Sequence, residues 1–251
     1  MVGKLLMRGL LAGLLASLLA FALARTFGEP QIDRAVAFER AADKAHGEAP
    51  DVELVSRNMQ ASYGLATGLL VYGTAAGGMF ALVFAYAQGR AGRLSPRALA
   101  ALIGVAAFLA VALLPALKYP ANPPAIGNPD TIGLRTALFF IELIISLTVV
   151  AGIIKLARLL ARRMGDWNAW LAGGTAGLVL LAIADMLLPA VQEVPPDFSA
   201  VLLWNFRIVS LGLHATIWIG TGLIFGTLTE YATERRQKSF VSFLQKRKRF
   251  L

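Results

Sequence analysis

Six apolar runs constrain this chain more than any other feature of its sequence. They cover residues 4–27, 63–88, 98–117, 136–158, 168–189 and 207–228. Each approaches or exceeds the ~20 residues that a helix needs to cross the hydrocarbon core of a bilayer, and most have no charge at their centres. A water-soluble domain made of six such helices would need ample polar surface to cover them, yet only 16% of the 251 residues are charged. In lipid a helix satisfies its own backbone hydrogen bonds, so the pattern is self-consistent there. The expected fold is all-α: a polytopic transmembrane helical bundle, a single integral membrane domain over residues 1–251 that ends in a basic tail at 235–251.

Charge sets the orientation. With the N-terminus inside, the inner segments hold Lys4, Arg8, Arg90, Arg93, Arg97, Lys155, Arg158, Arg162 and Arg163, and the tail brings the inner total to sixteen of the 24 Lys and Arg. The outer segments are acidic, with Glu29, Asp33, Glu39, Asp43, Glu48, Asp51 and Glu53 ahead of the second span and Asp130, Glu193 and Asp197 later. Short basic inner loops place both termini in the cytoplasm. Phe240, Phe243, Leu244 and Phe250 lie among the bases of the tail. That mixture suits contact with anionic lipid headgroups, and the net charge of +9 is not read as a nucleic-acid surface. The N-terminus leaves two readings open. Ala20–Phe21–Ala22–Leu23–Ala24 resembles a leader-peptide cleavage site. The length of the run, and Gly9 and Gly13 at helix-packing spacing, favour a retained span.

The spans read as three hairpins with their loops outside. Arg57, Arg135 and Arg207 each open the second helix of a hairpin. Leu113-Leu114-Pro115-Ala116 and Leu187-Leu188-Pro189-Ala190 close spans three and five, and each is followed by a Pro-rich loop. This suggests a repeat of hairpins two and three, against the simpler reading that Pro stops helices at the membrane surface. Residues before Pro favour extended backbone, so residues 118–130 are expected to be extended. Asp130 and Asp197 are expected to cap the helices that follow. Gly73/Gly77, Gly173/Gly177 and Gly222/Gly226 have the four-residue spacing that lets membrane helices approach closely.

Three ionisable side chains interrupt the apolar spans: Glu142, Asp185 and His214. Such residues are rare in hydrocarbon and often mark ion or proton routes. Glu142 lies seven residues beyond Arg135 and His214 seven beyond Arg207, so both are about 10 Å along their helices. Asp185 precedes Pro189 by four residues, about 6 Å. All three are expected in the outer third of the membrane. Carboxylate and imidazole together make an oxygen-and-nitrogen ligand set for a divalent metal cation. The competing reading makes the carboxylates structural partners of Arg135 or Arg207. In the first outer loop, Glu39, Asp43 and His46 would share one helical face, either as a weak cation trap or, with Arg40 and Lys44, as a solvated ion-paired face.

Catalysis has little support. There are no cysteines and two histidines, and neither a phosphate-binding glycine loop nor a zinc-hydrolase motif is present. The chain is not expected to be an enzyme, and no resident cofactor is expected.

Longer motifs add a resemblance. They are Gly9-Leu10-Leu11-Ala12-Gly13, Phe27-Gly28-Glu29-Pro30, Lys118-Tyr119-Pro120-Ala121-Asn122-Pro123-Pro124, Asn128-Pro129-Asp130, Glu193-Val194-Pro195 and Leu203-Trp204-Asn205-Phe206-Arg207. On these the sequence resembles the CbtA family of proposed cobalt transporter subunits. The resemblance implies cobalt uptake linked to cobalamin biosynthesis, a bacterial cytoplasmic (inner) membrane location, and a small His-containing membrane partner, CbtB-like. It supplies no ligand set, so Glu142, Asp185 and His214 rest on the sequence alone. A second function class stays open: a non-transporting scaffold that positions a metal-binding partner subunit.

The charge pattern predicts a topology that reporter fusions test. Fusions after Lys44, Gly127 and Asp197 should report as external, and those after Gly92 and Gly165 as internal. An external C-terminus would contradict it.

Overall fold

The computed structural model describes residues 2–47, 54–92 and 94–248, with side chains through Arg235. Glu48, Asp51 and Glu53 of the first outer loop, Arg93 and the tail side chains lie outside the described residues. Among the described residues every regular element is helical. The α-helices are α1 (Val2–Leu23), α2 (Glu29–His46), α3 (Arg57–Met59), α4 (Leu65–Ala87), α5 (Pro96–Phe108), α6 (Leu114–Lys118), α7 (Ile132–Met164), α8 (Asp166–Leu187) and α9 (Ala200–Lys248). Joined through π-helical turns, they give six helices long and apolar enough to cross a membrane: Val2–His46, Arg57–Ala87, Pro96–Lys118, Pro129–Met164, Asp166–Leu187 and Ala200–Arg235.

Two of the π-helical turns have a visible cause. Ala24–Gly28 leads into Pro30, and Leu109–Leu113 leads into Pro115. Proline lacks an N–H, and its ring collides with the carbonyl four residues back. Widening the preceding turn relieves that collision and keeps the helix continuous. The first polar segment, whose Glu39, Asp43 and His46 spacing suggested a helical face, is helical through His46 and stops at Gly47, whose φ of 73° suits glycine. In α2, Glu39 and His46 are exposed and Asp43 is half-buried.

The chain divides into two compact units. Unit 1 is Met1–Leu23, Arg57–Val105 and Leu213–Leu251, and unit 2 is Ala24–Ser56 and Ala106–Gly212. In unit 1 the buried face of α1 is Leu5, Gly9, Ala12, Gly13, Ala16, Ser17 and Ala20, at helical spacing and almost all small. The large residues Leu11, Leu14, Leu15, Leu18 and Leu19 point outward. This arrangement suits a lipid surround, where packing rather than water exclusion drives helix association. Gly9 and Gly13 lie against Gly77 and Gly73 of α4, with backbone touching backbone. A methyl on Gly13 would come 2.9 Å from the Gly77 Cα. Gly104 and Gly222 make the same close crossing of α5 and α9. Phe225 packs edge-on against Phe80 and Phe84, with ring centroids 5.4 and 4.8 Å away.

In unit 2, α7 and α8 are joined through the single residue Gly165 (φ 78°) and pack along Gly173 and Gly177, which face Ile153 and Ala157. This close pair joins spans four and five, which the hairpin reading assigns to different hairpins. The two Leu-Leu-Pro-Ala stretches also differ. Pro115 lies inside a helix that continues to Lys118, whereas α8 ends at Leu187, before Pro189. The caps fall two residues from the aspartates expected. Asn128 Oδ1 accepts the Asp130 N–H at 2.9 Å, and Ser199 Oγ accepts the Leu202 N–H at 3.3 Å. A capping residue lies just before the first helical turn, whereas Asp130 lies inside the turn Pro129–Thr131 and its own N–H is the one capped. A small cluster of Ala35, Ile126, Phe198 and Leu202, with Phe38 edge-on to Phe198 at 5.0 Å, completes unit 2.

Candidate functional site

The polar residues of unit 2 converge where α8 ends. Leu188, held before Pro189, is extended (ψ 140°), so the helix cannot continue. The last carbonyls of a helix have no intrahelical partner. Here Lys118, the last residue of α6, and Tyr119 just after it reach the end of α8 and the residue beyond its cap. Lys118 Nζ donates to the Asp185 carbonyl at 2.5 Å, and the Tyr119 hydroxyl donates to the Pro189 carbonyl at 2.8 Å. A cation at a helix C-terminus also opposes the negative end of the helix dipole.

The loop after α6 binds the starts of two further helices. The Asn128 N–H donates to Glu193 Oε2 at 2.7 Å, and the Thr131 hydroxyl donates to Glu193 Oε1 at 2.6 Å. The Arg135 guanidinium donates to the Asn128 carbonyl at 3.1 Å and lies 3.4 Å from Glu193. Arg207 donates to the Ala121 carbonyl at 3.3 Å and to Asn122 Oδ1 at 2.9 Å. Gly127, at φ 125°, passes so close to Arg135 that any side chain there would strike the guanidinium. Among the described residues, neither arginine pairs with Glu142 or Asp185. The arginines' own bonds to this loop therefore displace the structural-partner reading.

Glu142 and Asp185 meet each other instead. Glu142 is fully buried on α7 and accepts a 3.2 Å hydrogen bond from Ser146, one turn on and equally buried. The carboxyl groups of Glu142 and Asp185 lie within hydrogen-bonding reach of one another. Glu142 Oε2 and Asp185 Oδ1 are buried with no donor. Two carboxylates at this distance require a proton or cation to hold them. Burial pushes the Tyr119 phenol above its ordinary range, and the charges of Glu142 and Asp185 add to the shift. Lys118 is the nearby cation that sequence reasoning did not associate with the pair.

His214 belongs to unit 1. It lies on α9, edge-on to Tyr72 with ring centroids 6.3 Å apart, and its Nδ1 is buried without a partner. Among the described residues, no group of three or more His, Cys, Asp or Glu is placed to hold a metal ion.

A family model for a probable cobalt transporter subunit (CbtA) matches residues 2–230, nearly the whole chain. The chain belongs to the CbtA family. No curated protein and no solved structure matches it. Membership supports a cobalt transporter subunit with membrane-spanning helices. Much of the CbtA-like loop Lys118–Asp130 is the stretch whose bonds to α7, α8 and α9 have just been described.

Glu193 lies outside the spans and provides a titration test. The Thr131 hydroxyl, then the Asn128 N–H and the Arg135 charge, hold its carboxyl below the ordinary glutamate range. A depressed folded value stabilises the fold above the unfolded value, ~4.3. That stabilisation is lost as pH falls through the folded value. The Tm difference between wild type and Glu193→Gln should be constant at neutral pH and shrink below about pH 4.3. A pH-independent difference would show that the ionised carboxylate contributes nothing.

Proposed function

We propose that the chain is the membrane subunit of an uptake system for cobalt or a related divalent cation, and that Glu142 and Asp185 receive the ion. One observation carries this: a buried carboxyl group, Glu142, and a half-buried one, Asp185, face each other, and each has a buried oxygen without a donor. Two carboxylates together balance one divalent charge, which favours a divalent over a monovalent ion. Placing ionisable groups in a span costs roughly 2.5–3.5 kcal/mol for Asp at a helix centre, so an apolar pair would be the cheaper structural solution. His214 keeps its candidacy as an imidazole ligand, but the carboxylate pair is argued without it.

On this reading both termini face the cytoplasm, as the basic inner loops require, and Asp185 lies in the last turn before the outer surface. The remaining ligands come from water or from a small His-containing, CbtB-like membrane subunit, and the imported cobalt feeds cobalamin biosynthesis. Both links follow from family resemblance. The scaffold alternative draws on one specific fact: no three-ligand group is present among the described residues.

The test is cobalt accumulation in cells that express the chain with and without its small partner. Glu142→Gln keeps the shape and removes the charge. It should lower uptake at least about tenfold, the scale of losses at metal sites, while membrane expression stays at the wild-type level. Uptake unchanged by both Glu142→Gln and Asp185→Asn would exclude the pair. Uptake that follows the partner alone, with or without this chain, would favour the scaffold.

A further inference from the structure

Unit 1 has a cavity of about 60 Å³ at the end of the bundle where α1 begins. A single water needs only ~10–15 Å³ of such space. Lys4 and Arg8, one turn apart on α1, form one wall. Thr229, Ala232 and Thr233 of α9, Gln88 at the end of α4, and Leu5 complete the lining. The charged lining is entirely positive. Among the described residues, neither Lys4 nor Arg8 has an ion-pair or hydrogen-bond partner. The nearby Glu230 is 3.9 Å from Arg97.

The wall on α9 points to a ligand. Thr229 is 2% exposed, and its hydroxyl has no hydrogen-bond partner. A buried hydroxyl without a partner costs free energy, and threonine in a helix usually returns its hydroxyl to the carbonyl one turn back. Thr233 does this, donating to the Thr229 carbonyl at 2.9 Å. The Thr229 hydroxyl makes no such return bond and keeps an unused donor on a residue that lines the cavity.

We infer that this cavity binds a phosphate group and that an anionic phospholipid of the adjoining leaflet supplies it. Two cations, a threonine hydroxyl and the Gln88 amide are donors suited to phosphate oxygens. The first two turns of α1 also place them where the apolar run begins, at the depth of lipid headgroups. A basic pocket between helix ends differs from a diffuse basic surface: it distinguishes bound lipid from bulk lipid.

The test is native mass spectrometry of the full-length protein titrated with phosphatidylglycerol, phosphatidylcholine or inorganic phosphate. Wild type should retain phosphatidylglycerol in preference to phosphatidylcholine. Lys4→Gln and Arg8→Gln should each weaken that retention about fivefold. Arg90→Gln, on the same side but outside the cavity, should leave it unchanged. Thr229→Val alters no charge and should also weaken retention, which keeps the test decisive if the α1 variants fail to fold. Displacement of phosphatidylglycerol by millimolar phosphate would assign the cavity to soluble phosphate and overturn the lipid source. Equal retention of both lipids, or retention untouched by Arg8→Gln and Thr229→Val, would overturn the site.

Discussion

Polar backbone at a helix end needs hydrogen-bond partners from outside the helix, and the architecture of unit 2 follows from how that need is met. Pro189 stops α8 and leaves carbonyls without partners. Lys118 and Tyr119, at the end of the preceding span, reach the Asp185 and Pro189 carbonyls. The loop that carries them then takes hydrogen bonds from Arg135 and Arg207 near the starts of α7 and α9. One loop thus serves three helix termini. The carboxylate pair lies directly beside this clamp because Asp185 contributes its backbone to the clamp and its side chain to the pair. Bonds to charged partners of this kind contribute about 1.5–3 kcal/mol each when well formed.

Elsewhere the structure relies on small residues rather than large ones. The Gly9–Gly77 and Gly13–Gly73 contacts bring α1 and α4 to backbone contact, while the leucines of α1 face outward. Association through close packing gains dispersion along the whole crossing. It leaves little room for substitution, because a methyl at any of these glycines meets backbone, which has no rotamer by which to yield. Phe80, Phe84 and Phe225 pack together in unit 1 with Leu5, Leu99 and Ala100.

The sequence made the spans legible because hydrophobic length is a local property and the bilayer sets its scale. Gly9 and Gly13 were legible for the same reason, as were Glu142, Asp185 and His214 as unusual residues. Their partners were not. Arg135 and Arg207 were the nearest cations in sequence to the buried acids, but side-chain direction sends them to loop residues Asn128, Ala121 and Asn122. Lys118 is 67 residues from Asp185 and reaches it only through the tertiary fold. The helical form of residues 31–46 was legible in the spacing of Glu39, Asp43 and His46, and α2 bears it out. Asn128 and Ser199 were readable as caps from their chemistry, but the more conspicuous aspartates, Asp130 two positions after the first and Asp197 two before the second, drew the assignment.

The central claim is that the Glu142–Asp185 carboxylate pair, held beside a lysine-capped helix end, is where a divalent ion is received. Cobalt K-edge X-ray absorption on the cobalt-loaded full-length chain in lipid tests it most directly. The account predicts a spectrum distinct from that of hydrated cobalt, with carboxylate oxygens in the first shell, that reverts toward the hydrated ion in Glu142→Gln and in Asp185→Asn. A bound-cobalt spectrum that is identical in wild type and in both variants would place the ion elsewhere and contradict it.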